Sequence, residues 1–306
     1  MIKLFGLPIM AAVFAGILFP YTALSLMPFG FVFLFVLMLL SGLSVDWHKI
    51  PAVLQRPYEL LAGLFFVFLL FPLLQFILAK FLITSSQLLE GILFGALMPV
   101  AFVAPFFTKE LGGDEELAFL VMVFSALLAP FITPLLLQQL TASSLVIQPL
   151  PLIKNMIWLV TIPLLGSFLI SKYTPSYKKL ITPYLALGNM ATLSLLIFIL
   201  FGSAANHLYT GYTPGTNIGK LLILAFIQDF GALFLARFLM GKLFAPKKAT
   251  ALMICLSMKN VAIAAGVLLF YDPRAALAPA LVFIAHACLF SFLPTLKNRL
   301  VIRVKN

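Results

Sequence analysis

Lys259 stands inside an apolar run from about Thr250 to Phe270, with Cys255 and Ser257 ahead of it, Met258 beside it and Asn260 behind. A charged side chain at the centre of a bilayer costs about 2.5–3.5 kcal/mol on insertion scales, so an ammonium group there marks a functional position. Its hydrogen-bonding neighbours, which a continuous helix does not need, predict a helix broken at mid-membrane. Two further ionisable groups, Asp229 and His286, fall near the centres of their own apolar runs. Such groups bind anions or carry protons, and the least costly arrangement pairs Asp229 with Lys259 inside a helix bundle. The plainer role of that pair is structural: a static ion pair in which the Lys259 ammonium also stabilises the carbonyl ends of the broken helix. A lone histidine on an apolar helix is more often hydrogen-bonded packing, yet imidazole chemistry keeps His286 a proton-carrier candidate.

Other chemistries find no residues. There is no G-x-x-x-x-G-K-[ST] phosphate loop and no H-E-x-x-H pair, and His48, His207 and His286 are scattered. Cys255 and Cys288 lie within apolar segments and have no metal-ligand spacing. The reading is therefore no enzyme, no resident metal and no cofactor, with an ion or substrate gradient as the energy source.

The elements that position these groups are membrane spans. A chain of 306 residues that is 63% hydrophobic and 9% charged, with a mean hydropathy of +1.15, cannot cover itself with a polar surface. Apolar runs long enough to cross about 30 Å of hydrocarbon place ten spans at 4–20, 28–44, 57–79, 88–108, 116–139, 150–171, 182–204, 217–241, 249–271 and 275–296. The net charge of +11 sits in short connections and at the C-terminus, which argues for orientation and against nucleic acid as a partner. With the N-terminus inside, the inward connections hold most of the 20 Lys and Arg residues, Lys49, Arg56, Lys178 and Lys179 among them, while only Lys80, Lys154, Lys220 and Arg274 lie outside. Both termini are expected in the cytoplasm, in the cell (inner) membrane. The run Leu4 to Phe19 is needed for that alternation and is kept as a span although it follows Lys3 like a signal peptide. Glu59 and Glu90 begin spans 3 and 4, where helix N-termini favour negative charge.

Five spans on each side of the linker Thr141 to Pro151 put the two halves, 1–140 and 150–297, in opposite orientations, as an inverted repeat requires. Span 4 carries Pro99 and Pro105 around Ala104, and span 9 carries Ser257 to Asn260, so both penultimate spans are interrupted. The expectation is that these two broken helices cross near Ala104-Pro105 and Lys259-Asn260 and build the site between them.

At these residues the chain resembles the bile acid:sodium symporter family. Leu39 to Trp47 is similar to that family's Met-Gly-Leu stretch before an acidic-aromatic pair, and Gly95 to Pro134 to its broken helix, glycine turn (Gly112-Gly113) and Thr-Pro ending (Thr133-Pro134). Ser257 to Asn260 falls on its second broken helix, whose pattern is Glu-x-Gly-x-Gln-Asn. The resemblance implies an all-α fold of ten helices as two inverted five-helix repeats. It also implies a panel of spans 1, 2, 6 and 7 and a core of spans 3–5 and 8–10 that moves past it. Members carry organic anions, usually with sodium. Here the family's glutamate falls at Cys255, its glycine at Ser257 and its glutamine at Lys259, and only Asn260 is kept. Its Ser-Asn pair falls at Ala104-Pro105, its span 5 polar groups at Ala118 and Met122, and its span 3 glutamine at Val67.

The expected function is alternating-access transport of a small organic anion, a carboxylate or a bile-acid-like molecule, with sodium absent or weak and a proton as the other coupling ion. A cation/proton antiporter or a passive facilitator is the alternative. The expected site residues are Lys259, Asn260, Asp229, Ser257, Met258, His286, Ala104, Pro105 and Asn189, the last facing the substrate from the panel or joining helices by hydrogen bonds.

Overall fold

The computed structural model describes residues 2–47, 57–141, 148–209 and 218–300, which are helical almost throughout. In chain order the helices are α1 (Ile2–Leu18), α2 (Pro20–Leu43), α3 (Pro57–Leu82), α4 (Ser86–Ala96), α5 (Ala104–Glu110) and α6 (Glu115–Thr141). After these come α7 (Pro149–Tyr173), α8 (Pro175–Tyr209), α9 (Ile218–Leu243), α10 (Pro246–Ser257), α11 (Val261–Tyr271) and α12 (Pro273–Leu300). Six of them, α2, α3, α6, α7, α8 and α9, are long and apolar enough to cross a membrane. His48, Lys49, Arg56 and most of the Thr141 to Pro151 linker lie outside the described residues.

Helix α1 packs against α8, and α8 in turn against α2, which also meets α7. Helices α10 and α11 are the most enclosed. Every residue from Ala249 to Leu269 is buried, as expected of helices that are apolar all round. Helix α12 closes over α4, α9 and α11. Its approach to α4 is so tight that a Cβ on Gly91 would lie 2.0 Å from the Ala275 carbonyl oxygen. Glu59 lies in the first turn of α3 and pairs with Lys248. Glu90 does not begin its helix as the sequence suggested: α4 starts at Ser86, so Glu90 sits a turn inside and is buried.

Prolines shape the long helices. Pro72 in α3 and Pro163 in α7 each follow a five-residue π-helical turn, Phe66–Leu70 and Ile157–Thr161. A proline ring clashes with the carbonyl four residues before it, and the wider turn swings that carbonyl aside. Helix α9 has its π turn at Ile227–Gly231 without a proline. Gly112, at φ +73°, ends α5 in a left-handed turn that lets the Gly113 N–H reach the Thr108 carbonyl at 2.8 Å.

Gly91→Ala must push α4 off α12, because the obstructing atom is backbone and cannot rotate away. It is expected to lose about 1–3 kcal/mol of stability, read as a lower thermal midpoint in detergent. Gly166→Ala, whose nearest neighbour is a Leu39 methyl at 3.6 Å, should change the midpoint little.

Candidate functional site

Between Ala96 and Ala104, and again between Ser257 and Val261, the chain leaves the helix. In an apolar interior every backbone group freed by such a break needs a partner, and each break supplies some of the partners of the other. The Asn260 N–H donates to the Pro99 carbonyl and the Ala101 N–H to the Met258 carbonyl, both at 2.8 Å, so that Val100 and Lys259 face each other as a short antiparallel bridge. Helix α6 supplies two more. The Val100 N–H donates to Ser125 Oγ at 3.0 Å, and Thr133 Oγ1 donates to the Leu97 carbonyl at 2.8 Å.

A further carbonyl in that break, Met98, is taken by Lys259. Its buried Nζ donates to the Met98 oxygen at 3.2 Å and to the Val67 oxygen of α3 at 2.6 Å. Pro72 explains why Val67 is open. In the π turn Phe71 N–H already serves Phe66, and the donor five residues after Val67 would be Pro72, which has no N–H. The ammonium therefore meets two main-chain oxygens that the helices cannot satisfy, and charge-assisted bonds of this kind are worth about 1.5–3 kcal/mol each.

The expected Asp229–Lys259 pair is not formed. Lys259 turns to the carbonyls, and Asp229, fully buried on the π turn of α9, pairs across to α12, where His286 Nδ1 lies 2.6 Å from its Oδ2. His286 Nδ1 also lies 3.2 Å from the carbonyl of Val282, one turn earlier in its own helix. Two charges that the sequence alone joins by sign are separated because each has a nearer partner of suitable chemistry. His286 is thus more than packing.

A cavity of about 230 Å³ lies beside the crossing, between α1, α2 and α8 on one side and the breaks, α11 and α12 on the other. Of the expected site residues, Lys259, Asn260, His286 and Asn189 line it. Asn189 joins helices as well, accepting from Ser41 Oγ at 3.0 Å. Ser257 and Met258 are buried outside the lining, Ser257 Oγ donating to Ile254 at 3.2 Å. Ala104 and Pro105 do not reach the cavity: the crossing falls earlier, at Pro99–Ala101, and Pro105 sits in the first turn of α5, where its missing N–H costs nothing. Ala101, Phe102 and Val103 take their place in the lining. Ser41 and Ser44 were missed; their spacing of three on an apolar helix that faces Asn189 was the available signal. The Val67 and Met98 carbonyls were invisible as ligands because any residue type can offer a carbonyl. Only the prolines at positions 72 and 99 hinted at them.

The fold thus combines membrane-length apolar helices with two interrupted helices that meet beside a cavity. A model of the Sodium Bile acid symporter family matches residues 31–210, more than half of the chain, and the chain belongs to that family, as its motifs suggested. The match ends before Asp229, Lys259 and His286. The chain is 22% identical over 297 residues to an uncharacterized sodium-dependent transporter YocS of Bacillus subtilis (strain 168), covering 95% of this chain and 89% of that protein. It is 25% identical over 159 residues to a probable chloroplastic sodium/metabolite cotransporter, BASS1, of Oryza sativa subsp. japonica. That second match spans 52% of this chain and 39% of the rice protein. The protein is a transporter and not an enzyme.

A double-mutant cycle on thermodynamic stability should separate the two pairings. Asp229→Asn with His286→Gln is expected to show a coupling of about 1–3 kcal/mol, and Asp229→Asn with Lys259→Met a value below about 0.5 kcal/mol. The reverse order would restore the ion pair read from sequence.

Proposed function

We propose that the protein is a secondary transporter of an amphipathic organic anion that works by alternating access and without sodium. The observation that carries this reading is the seat of the Lys259 ammonium on the Val67 and Met98 carbonyls. Sodium, the ion implied by the family, needs several oxygen ligands. Here a tethered cation already holds the oxygens, and Ala104, Ala118, Met122 and Cys255 supply no side-chain oxygen. The residues present do not fit the ion.

The cavity chemistry suits an anion with an apolar body. None of its lining residues is acidic, whereas Met38, Phe102 and Phe283 give it apolar walls. The N-terminus of α11, an 11-residue helix, opens at Asn260 and Val261 on the cavity wall, and a helix N-terminus favours negative charge. The Asn260 carboxamide makes no hydrogen bond to the described residues and is available to a carboxylate or sulfonate. A cation antiporter would need an acidic ligand at this wall.

Ten crossings in two inverted repeats give the motion its frame. Counting α4 with α5 and α10 with α11 as single interrupted crossings makes ten. The third crossing of each half also divides in the same way, into helical pieces of 9, 5 and 12 residues with the π turn in the middle. Packing of α1, α2, α7 and α8 on one another supports a panel, past which a core of the remaining helices slides. With the N-terminus inside, the Ser44 end of the cavity, close to Lys178, faces the cytoplasm of a cell whose inner membrane holds the protein.

Counterflow in proteoliposomes with radiolabelled taurocholate, p-toluenesulfonate and 4-methyl-2-oxopentanoate tests the reading. At least one probe should exchange, at a rate that is unchanged when choline replaces sodium at constant pH. Exchange that collapses without sodium would show that the ammonium has not displaced the ion.

A further inference from the structure

The Asp229–His286 pair joins α9 to α12, apart from the two carbonyls that the Lys259 ammonium holds, and its surroundings suit a second task. Two acceptors converge on one ring nitrogen, His286 Nδ1: Asp229 Oδ2 at 2.6 Å and the Val282 carbonyl at 3.2 Å. A neutral imidazole has a single N–H, and an imidazolium has two. Asp229 Oδ1 is buried with no hydrogen-bond partner among the described residues, so the carboxylate leans on the ring alone. His286 is at the same time part of the cavity wall, next to Lys259 and Asn260.

We propose that Asp229 and His286 form a proton site coupled to the anion cavity, so that each anion crosses together with one proton. This rests on the anion-transport reading above. With one ring proton, on Nδ1, the pair carries a net charge of −1 beside the cavity. A second proton, on Nε2, makes an imidazolium–carboxylate pair of net charge zero and removes the repulsion an entering anion meets. Proton and anion therefore favour each other's binding by the same factor, as linkage requires.

The other charged or titratable groups around the pair are few. Lys259 turns its ammonium away, to Val67 and Met98. Cys288 lies within reach of Asp229 on α12, and Cys255 of α10 lies near Lys259. Glu90 on α4 is beside Gly91 and therefore near Ala275, about three turns of α12 from His286. The stretch of α8 that faces the cavity offers Ala186, Asn189, Met190 and Leu193, none of them ionisable, and α1 offers Ile9. In α11 the one titratable group, Tyr271, is at the far end and bonded to Asn155.

The test reads the steady-state accumulation of the probe that counterflows best, which does not depend on turnover rate. Proteoliposomes are given an inside-alkaline gradient of about one pH unit, with valinomycin and equal potassium holding the voltage at zero. One proton per anion then concentrates the probe about tenfold inside, and an internal pH dye records a matching proton entry. In Asp229→Asn and in His286→Gln the ratio should fall to about one. Counterflow without gradient-driven accumulation in the wild type overturns this inference and leaves the anion reading standing. Accumulation that stays tenfold in either variant places the proton elsewhere and also overturns it. Loss of counterflow with every probe overturns both readings. Should one of the variants fail to fold, the other decides, with the same expected ratio of about one.

Discussion

The centre of this protein depends on finding a partner for every main-chain group that its broken helices release into an apolar interior. A carbonyl without a donor there costs on the order of 1–3 kcal/mol, and the two breaks together release several. They meet part of that need from each other, through the short bridge at Val100 and Lys259 and its two 2.8 Å hydrogen bonds. Ser125 and Thr133 on α6 supply two more partners. The ammonium of Lys259 serves the Met98 carbonyl at 3.2 Å.

The same ammonium links this crossing to α3 by a route that begins with a proline. Pro72 has no N–H to give, the π turn before it redirects the Phe71 N–H to Phe66, and the Val67 carbonyl is left facing the bundle. A cation is the natural partner for two such oxygens. By carrying the cation on its own side chain, the protein holds the Val67 and Met98 carbonyls with one of its own residues.

Freed from Lys259, Asp229 becomes available to His286, and that exchange of partners gives the site its second charged centre. One centre is tied to two backbone oxygens at the edge of the cavity. The other is a carboxylate and an imidazole that can share or gain a proton, with the imidazole on the cavity wall. The cavity itself is mainly apolar, so these few polar groups act in surroundings where water weakens them little.

Composition determined that the chain lives in a membrane, because 63% hydrophobic residues leave too little polar surface for a soluble fold, and the length of the apolar runs made its spans helices. Proline and polar interruptions at residues 99–105 and 257–260 marked both helix breaks, since regular helices in an apolar medium resist them. The motifs also pointed to the family. Sequence could also name the buried charges, Asp229, Lys259 and His286, because each stands out against its apolar run. It could not assign their partners. Charge sign favoured Asp229 with Lys259, but partners are chosen by position in three dimensions, and position set Lys259 against carbonyls that no sequence displays as ligands. The point of crossing shifted for a similar reason: hydrogen bonds between two main chains follow register, which side-chain identity does not encode, so Pro99–Ala101 and not Ala104-Pro105 meets Met258–Asn260. Only the tertiary structure, by bringing α2 and α8 across from these breaks, decided that a cavity exists there and that Ser41, Asn189, Asn260 and His286 share its wall.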